Sequence, residues 1–355
     1  MPRRITAEDV EALALGGAIL GGGGGGSPEG GRRKGLLALE IGDIWLYQPD
    51  ELPEDTIVAT IVALGAPTQR SRMKPSGFIR AAQLLWESGI EFEGVIAAEN
   101  GGYNSFGGWL PAAALELPVV DAPCDGRAHP TAVMGSMGLH RLEDYRSVKA
   151  IVAEGVEVVA WGSVETTSRV ARLVASERGM VAMARDPVAL SYAVEHGAPG
   201  AVSKALELGH LVLKALREGA ERAVRAAMEY LGGSILCRGR VRRKHLETRG
   251  GFDVGLLEVE AEGEKYELTF LNEYMTLERG GRRLATFPDL ISTFDDEGRP
   301  ITSAAVEEGD EVYVTIVPRE RIPIGDGLRY SDVYRPVEEA LGKAMTKHLK
   351  GFLIE

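Results

Sequence analysis

Apolar strands alternate with helices over residues 43–184, and this alternation restricts the possible folds more than any other feature of the chain. The run "TIVATIVALG" (56–65) is apolar throughout and predicts a strand that is buried on both faces. A helical segment, "SGFIRAAQLLWESG" (76–89), and a second strand, "FEGVIAAE" (92–99), follow it. Strand, helix and strand in this order predict a layered α/β/α domain with a mostly parallel sheet.

The character of the sequence changes near Gly232. Residues 233–319 contain short alternating segments separated by pairs of glycines, which predict a small all-β domain of the barrel or sandwich type. Within it, "NEY" (272–274) is expected to mark a turn and strand packing. We therefore predict an α/β domain over residues 1–232, which contains the site, and a β domain over 233–319. The helical tail, 320–355, is expected to pack back on the first domain.

The charge and the cysteines exclude several classes of function. The 355 residues include 40 basic and 52 acidic side chains, which gives a net charge of −12. Nucleic-acid binding needs a basic surface, so we expect no nucleic-acid partner. The only cysteines, Cys124 and Cys237, cannot form a paired-cysteine zinc motif. Without a secretory leader pattern or a long apolar run, the sequence predicts a cytoplasmic protein with no membrane contact.

Six consecutive glycines interrupt the first helical region, in "LGGGGGGSPEGG" (20–31). Ser27 is a good helix cap and Pro28 suits a first helical position, so a second helix is expected to begin at Pro28. The run lacks the Lys-Ser/Thr of a phosphate-binding P-loop and does not follow a strand. Two interpretations stay open, a flexible surface loop or a row of amides that bind an anion or a polarised carbonyl. In the second, the binding residues are Gly22, Gly23, Gly24, Gly25, Gly26 and Ser27.

Polar residues follow two predicted strands, at the sheet edge where sites gather in α/β proteins. In "AENGGYNSFGGW" (98–109), Glu99 is a candidate catalytic carboxylate and Asn104 a candidate amide donor, while Gly101 and Gly102 allow close backbone approach. The alternative is a helix cap followed by a tight turn.

The second loop, "VVDAPCDGRAHP" (119–130), contains Asp121, Asp125, Arg127 and His129. Carboxylates and an imidazole in one loop suit acid/base catalysis or metal binding. An Asp–Arg ion pair that braces the loop is the alternative. A third loop, 64–75, offers Arg70, Arg72 and Lys74 to hold a carboxylate, unless it is only a solvated loop.

Five short motifs occur in a fixed order along the chain: "GGGGSP" (23–28), "GAP" (65–67), "ENGGYN" (99–104), "PVVDA" (118–122) and "GRAHP" (126–130). In this order they resemble the DUF917 family, also called the S-methyl-thiohydantoin desulfurase-like family. The segments "LNEYM" (271–275) and "TFPDLISTFDDEGRPI" (286–301) resemble the same family. The resemblance covers most of the chain and implies an α/β domain joined to a small β-barrel. It also implies an association with hydantoinase- and oxoprolinase-type enzymes, and hydrolytic removal of a methylthio group from an S-methyl thiohydantoin.

The chain departs from the family pattern in the aspartate loop, which in the family reads D-A-D-G-M-G-R-A-[FY]-P-E. Here Pro123 stands at the second acidic position and Thr131 at the final glutamate. Asp125 occupies an apolar position, and His129 replaces an aromatic residue. If the family's second acid binds a metal or activates water, Asp125 and His129 are the residues available to compensate.

From these features we expect a homo-oligomeric hydrolase that acts on a small hydantoin-like cyclic amide and needs no cofactor. Glu99 or Asp121 would deprotonate water, amides of the glycine run with Asn104 would stabilise negative charge, and Arg127 or Lys74 would hold a substrate carboxylate. A non-catalytic subunit of a hydantoinase- or oxoprolinase-type complex is the first alternative. A metalloenzyme that uses Asp121, Asp125 and His129 is the second.

Overall fold

The computed structural model describes residues 1–66, 68 and 73–354, and within them two eight-stranded sheets. Sheet A is mixed. Its strands, in spatial order, are β1 (Arg3–Arg4), β2 (Trp45–Tyr47), β5 (Val119–Val120), β4 (Gly94–Ala97), β3 (Ile57–Gly65), β8 (Met180–Ala189), β6 (Ser147–Ala153) and β7 (Val156–Gly162).

Helices cover both faces of sheet A, as the predicted α/β/α layering requires. Along β3, Ala63 packs in the same apolar cluster as Phe78, which lies on a helix on one face of the sheet. Its neighbour Val62 packs in a different cluster with Ala171, which lies on a helix on the other face. Successive side chains of a strand point to opposite faces, so one apolar strand serves both layers. The helices are α1 (Ala7–Leu20), α2 (Pro28–Ile41), α3 (Ser76–Glu87), α4 (Trp109–Leu115), α5 (Val164–Arg178), α6 (Leu190–His196), α7 (Ala201–Leu216), α8 (Ala220–Leu231) and α9 (Arg335–Leu341).

The prediction of a mostly parallel sheet is wrong for half of sheet A. The pairs β2–β5, β5–β4 and β4–β3 are parallel, whereas β1–β2, β3–β8, β8–β6 and β6–β7 are antiparallel. The strand β6 was not predicted from the sequence, and it forms a hairpin with β7 around Glu154 and Gly155. Gly155 adopts the left-handed φ of +71° that such a tight turn needs.

Sheet B is antiparallel and contains the strands after α8. In spatial order they are β13 (Arg282–Thr286), β12 (Glu273–Arg279), β11 (Glu264–Leu271), β10 (Phe252–Ala261), β9 (Ser234–Arg249), β16 (Glu311–Val317), β14 (Leu290–Phe294) and β15 (Pro300–Ile301). The sheet curls into a half-barrel, so that β12 also contacts β14 across the concave side. The predicted small all-β unit is thus a curled sheet.

Close helix packing fixes the position of the glycine run at the end of α1. A Cβ atom on Gly16 of α1 would lie 1.9 Å from the carbonyl oxygen of Ala205 in α7, so the two backbones touch. The loop after α1 then projects between sheet A and sheet B, and Ser292 of β14 donates a hydrogen bond to the carbonyl of Ile19 at 2.9 Å.

The C-terminal segment contacts both parts of the chain. On the predicted first domain, Pro323 O accepts from Gly126 N at 3.1 Å and Asp332 accepts from Arg141 at 3.3 Å. Tyr334, Val337 and Met345 share an apolar cluster with Met275 of β12 and with Met134. Within the described residues, no helix is both long enough and apolar enough to cross a membrane.

Candidate active site

The glycine run is a buried, ordered connection between α1 and α2. Four of its residues have left-handed φ angles, +56° at Gly22, +90° at Gly23, +69° at Gly25 and +82° at Gly26. Its carbonyl oxygens are also used, since Gly25 accepts hydrogen bonds from the amides of Tyr103 (2.9 Å) and Asn104 (3.1 Å). The flexible-loop interpretation is therefore wrong. The predicted cap is confirmed, because Ser27 Oγ accepts from Gly30 N at 3.2 Å and Pro28 is the first residue of α2.

Contacts on two sides explain why small residues are needed here. A Cβ atom on Gly24 would lie 2.0 Å from Oε1 of Glu273, on the side of sheet B. On the opposite side, a Cβ atom on Gly101 would lie 2.4 Å from Cα of Gly25, and one on Gly102 would lie 2.7 Å from the carbonyl oxygen of Gly26. The glycine run is thus packed between the "ENGGYN" loop and β12.

A cavity of about 290 Å³ opens where these three parts meet. Its walls come from the end of the glycine run, the ends of β3, β4 and β8, the loop 129–132, α5, and the β11–β12 turn. Of the predicted site residues, the structure brings together in this cavity Gly25, Gly26, Ser27, Glu99, Asn104 and His129. The carboxyl edge of sheet A therefore forms one side of the cavity, and sheet B closes the other.

Glu99 is buried at the end of β4 and is held by donors on both oxygens. Its Oε1 accepts from Asn104 Nδ2 at 2.7 Å, and its Oε2 accepts from the backbone amide of His129 at 3.0 Å. Asn104 is itself fixed on β3, where it accepts from Ala63 N (3.1 Å) and donates to Ala63 O (3.3 Å). Both amide hydrogens of Asn104 are committed to these acceptors, so Asn104 positions Glu99 rather than binding a substrate oxygen.

His129 lies beside Glu99, with Nε2 3.4 Å from Glu99 Oε2 and 3.4 Å from Ala98 O. Burial lowers the pKa of His129, so the ring is neutral near pH 7. Its Nδ1 atom is buried and has no hydrogen-bond partner among the described residues. A buried polar atom without a partner is costly, and here it adjoins a cavity that a ligand or water can enter.

Glu273, the first residue of β12, is the functional residue that the sequence analysis missed. Its Oε1 accepts from Gly25 N at 3.3 Å, and its Oε2 is buried with no hydrogen-bond partner in the part of the chain that the structure describes. Burial, with the nearby charge of Glu99, raises the pKa of Glu273 to about 8. "NEY" does contain the predicted turn, with Asn272 at φ +60°, but its glutamate enters the cavity. The familial "LNEYM" motif could have indicated it, because this motif places an acid directly before the apolar pair Tyr274 and Met275.

Two arginines that no sequence motif indicated also line the cavity, Arg172 of α5 and Arg185 of β8. Arg172 donates to Gly251 O (2.9 Å) and Pro130 O (3.1 Å), and stacks on the ring of Phe252 at 3.8 Å. Arg185 is almost fully buried, and within residues 1–66, 68 and 73–354 its Nε atom has no hydrogen-bond partner.

Asp121 does not reach the cavity. Its two carboxylate oxygens accept from the amides of Val202 (2.8 Å) and Ser203 (2.9 Å), in the first turn of α7. Burial raises the pKa of Asp121. A carboxylate at this position stabilises the start of a helix, so we do not retain Asp121 as a candidate base.

The other charged residues of the prediction also lie outside the cavity. Arg127 donates to the carbonyls of Pro288 (3.1 Å) and Asp289 (2.7 Å) and stacks on Phe287, so it joins its loop to sheet B. Asp125 accepts from the amide of Arg127 at 3.3 Å, and burial raises its pKa well above the usual value. Lys74 is exposed at the start of α3. Gly22, Gly23 and Gly24 pack on sheet B, and Arg70 and Arg72 lie outside the described residues.

In the described parts of the chain, no three His, Cys, Asp or Glu side chains are grouped so that they could hold a metal ion. The set proposed from the sequence is divided, since His129 borders the cavity while Asp121 caps α7 and Asp125 braces its own loop.

Two family models match the chain, "S-Me-THD-like, N-terminal domain" over residues 8–159 and "S-Me-THD-like, C-terminal domain" over residues 162–323. The chain belongs to the S-Me-THD-like family. This membership confirms the resemblance drawn from the five motifs. The division between the two matches falls in front of α5, so the family's C-terminal domain contains part of sheet A as well as sheet B.

The fold also occurs in a solved structure. The crystal structure of a protein from Chromobacterium violaceum superposes with a TM-score of 0.70 at 19% sequence identity, over 99% of this chain and 98% of that one. At this identity the likeness concerns the fold alone. No curated protein matches the chain.

Proposed function

We propose that this S-Me-THD-like protein is a hydrolase that removes a methylthio group from an S-methyl thiohydantoin or a closely related cyclic amide. One observation carries the proposal: two buried carboxyl groups, Glu99 and Glu273, line one cavity in opposite environments. Glu99 has a donor on each oxygen, whereas Glu273 has an oxygen that no described residue contacts by a hydrogen bond, and a pKa raised to about 8. Carboxyl groups whose environments differ in this way suit a base and an acid.

In the proposed reaction, Glu99 takes a proton from water as the water oxygen bonds to the ring carbon that bears sulfur. Glu273, protonated near pH 7, gives its proton to the adjacent ring nitrogen. The tetrahedral intermediate then returns its hydroxyl proton to Glu273, and the C–S bond breaks. The thiolate leaves with the proton held by Glu99, so both carboxyl groups regain their starting states and the products are a hydantoin and methanethiol.

The remaining cavity residues support this chemistry. Gly26 and Ser27 border the cavity at the start of α2, where the positive end of the helix dipole favours negative charge on the ring. Met73, Met180 and Met183 also line the cavity, and their soft thioethers suit contact with a methylthio group.

The test is hydrolysis of 5-substituted S-methyl thiohydantoins by the purified protein, with hydantoin and methanethiol both quantified. Glu99→Gln and Glu273→Gln should each lower kcat by roughly 10²- to 10⁴-fold, the usual contribution of a positioned acid or base. Glu91→Gln, a change of an exposed glutamate before β4, is the matched control and should leave kcat unchanged. Turnover that survives both cavity substitutions would refute the proposal.

Association with a hydantoinase- or oxoprolinase-type enzyme stays a prediction, which co-purification without turnover would favour.

A further inference from the structure

Arg172, at the wall of the cavity, is a cation without a carboxylate partner among the residues that the structure describes. It borders the cavity from α5, and within the described residues no Asp or Glu oxygen lies within 4.0 Å of its guanidinium. Its two terminal nitrogens each donate one hydrogen bond, to Gly251 O and Pro130 O, and its face is covered by the ring of Phe252. A guanidinium has five N–H donors, so the two hydrogen bonds to carbonyl oxygens hold the group in place and leave other N–H groups to bind a ligand.

The charges around Arg172 leave this wall with surplus positive charge. Asp186 is the shared partner of Lys149 Nζ (2.8 Å) and Arg185 NH1 (3.2 Å), so one carboxylate balances only one of these two cations. Adding Arg172 on the cationic side and Glu99 on the anionic side leaves one positive charge among these five described side chains. Glu273 does not cancel it near pH 7, because a carboxyl group with a pKa of about 8 is mostly protonated there.

The unpartnered donor of Arg185 points to the same conclusion. Arg185 is almost fully buried and lines the cavity, yet its Nε atom has no hydrogen-bond partner in the described part of the chain. Leaving a buried donor of a charged group unpaired is costly unless a ligand satisfies it, and an anion is the group that suits a guanidinium.

We infer that the cavity takes a singly charged anionic substrate, a five-membered cyclic amide that carries a carboxylate, and that Arg172 holds this carboxylate. The inference rests on the proposed function for the ring, while the anion site stands on the arginines alone. The sequence had suggested Arg127 or Lys74 as the residue that holds a substrate carboxylate, but both lie outside the cavity, and Arg172 takes this role. Arg172 thereby determines substrate specificity, whereas Glu99 and Glu273 act on the ring.

The test compares three ligands by isothermal titration: hydantoin-5-acetate, its neutral isostere hydantoin-5-acetamide, and cyclopentylacetate, which keeps the carboxylate but lacks the amide ring. Wild-type protein should bind the acetate roughly 10- to 100-fold more tightly than the acetamide, as expected for a lost charge-assisted contact. Arg172→Gln should remove this preference and leave acetamide binding unchanged, and Arg172→Lys should retain part of it. Arg169→Gln, an exposed change on the same helix, is the matched control.

The outcomes separate the two proposals. Equal binding of acetate and acetamide by the wild type, or equal weakening of both by Arg172→Gln, overturns the anion site and leaves the ring chemistry untouched. Binding of cyclopentylacetate that depends on Arg172 and is as tight as that of hydantoin-5-acetate supports the anion site and counts against a cyclic-amide substrate. Failure of all three ligands to bind folded wild-type protein overturns the inference.

Discussion

Glu273 Oε1 accepts a hydrogen bond from the backbone amide of Gly25 at 3.3 Å, although the two residues stand 248 positions apart. This bond joins the curled sheet to the glycine run at the border of the cavity. It places an acid from sheet B opposite Glu99, which comes from sheet A. The two carboxyl groups can therefore act together only when both parts of the chain are correctly packed.

The first prediction concerns Gly24. Its Cβ atom in Gly24→Ala would lie 2.0 Å from Oε1 and 2.4 Å from Cδ of Glu273, so the buried carboxyl group must move and its bond to Gly25 must break. We expect the folded variant to lose hydrolase activity to the same extent as Glu273→Gln. Gly77→Ala is the control, because its new Cβ would find nothing closer than 3.5 Å inside α3. Normal turnover by Gly24→Ala would contradict the assigned role of Glu273.

The second prediction concerns the pH dependence of turnover. Glu273 acts as an acid only while it is protonated, and its pKa is raised to about 8. We expect kcat/KM, which reports the ionisation of the free enzyme, to be maintained near neutral pH and to fall about tenfold for each pH unit well above 8. In Glu273→Gln the residual rate should lose this alkaline limb. A wild-type profile that stays flat to pH 10 would exclude Glu273 as the acid.

The third prediction concerns the pH dependence of stability. Glu273 stabilises the folded state at low pH and not at high pH, which is opposite to the behaviour of most carboxylates. The folded pKa of Glu273, about 8, lies above its value of about 4.5 in an unfolded chain, so the folded state binds the proton more tightly. Its contribution is complete below pH 4.5 and is lost as the pH rises to 8. Relative to wild type, Glu273→Gln should therefore gain at least about 1 kcal/mol of unfolding free energy between pH 5 and pH 8.5. Urea denaturation at the two pH values measures the difference, and a constant difference would contradict it.

Local patterns predicted much of sheet A and its helices. "TIVATIVALG" forms β3, and Ser27 and Pro28 start α2, because burial pattern and capping depend on neighbouring residues. The direction of β8 depends instead on the β6–β7 hairpin, which inserts an antiparallel pair at one edge of the sheet. Strand direction is a long-range property, so a rhythm of strands and helices did not determine it.

The candidate site was predictable only on the side of sheet A. Glu99, Asn104 and His129 follow strands whose carboxyl ends meet at one edge, which sequence order can indicate. Glu273 and Arg172 reach the same cavity from a strand and a helix far along the chain, and no spacing rule connects them to Glu99. Asp121 also follows a strand, but the first turn of α7 occupies its oxygens.

The fourth prediction concerns Asn104, which connects Glu99 to β3. Asn104→Asp keeps the shape of the side chain but replaces the donor to Glu99 by a second carboxylate. The hydrogen bond of 2.7 Å from the Asn104 side chain to Glu99 becomes a repulsive contact between two carboxylates. The carbonyl oxygen of Ala63 also loses its donor. We expect a loss of about 2–4 kcal/mol in unfolding free energy at pH 7, and a smaller loss at pH 4, where one proton can be shared. Denaturation at the two pH values tests this, and equal losses would contradict it.

The fifth prediction separates Asp121 from the chemistry. Asp121→Asn keeps one acceptor for the amides of Val202 and Ser203 but removes the negative charge at the start of α7. A helix cap of this kind contributes about 1 kcal/mol, so in a chain of 355 residues the melting temperature should fall by roughly 1–2 °C. Because Asp121 lies outside the cavity, kcat per folded molecule should stay within about twofold of wild type, unlike that of Glu99→Gln. A loss of kcat as large as that of Glu99→Gln, in protein with a normal melting temperature, would restore Asp121 as a candidate base.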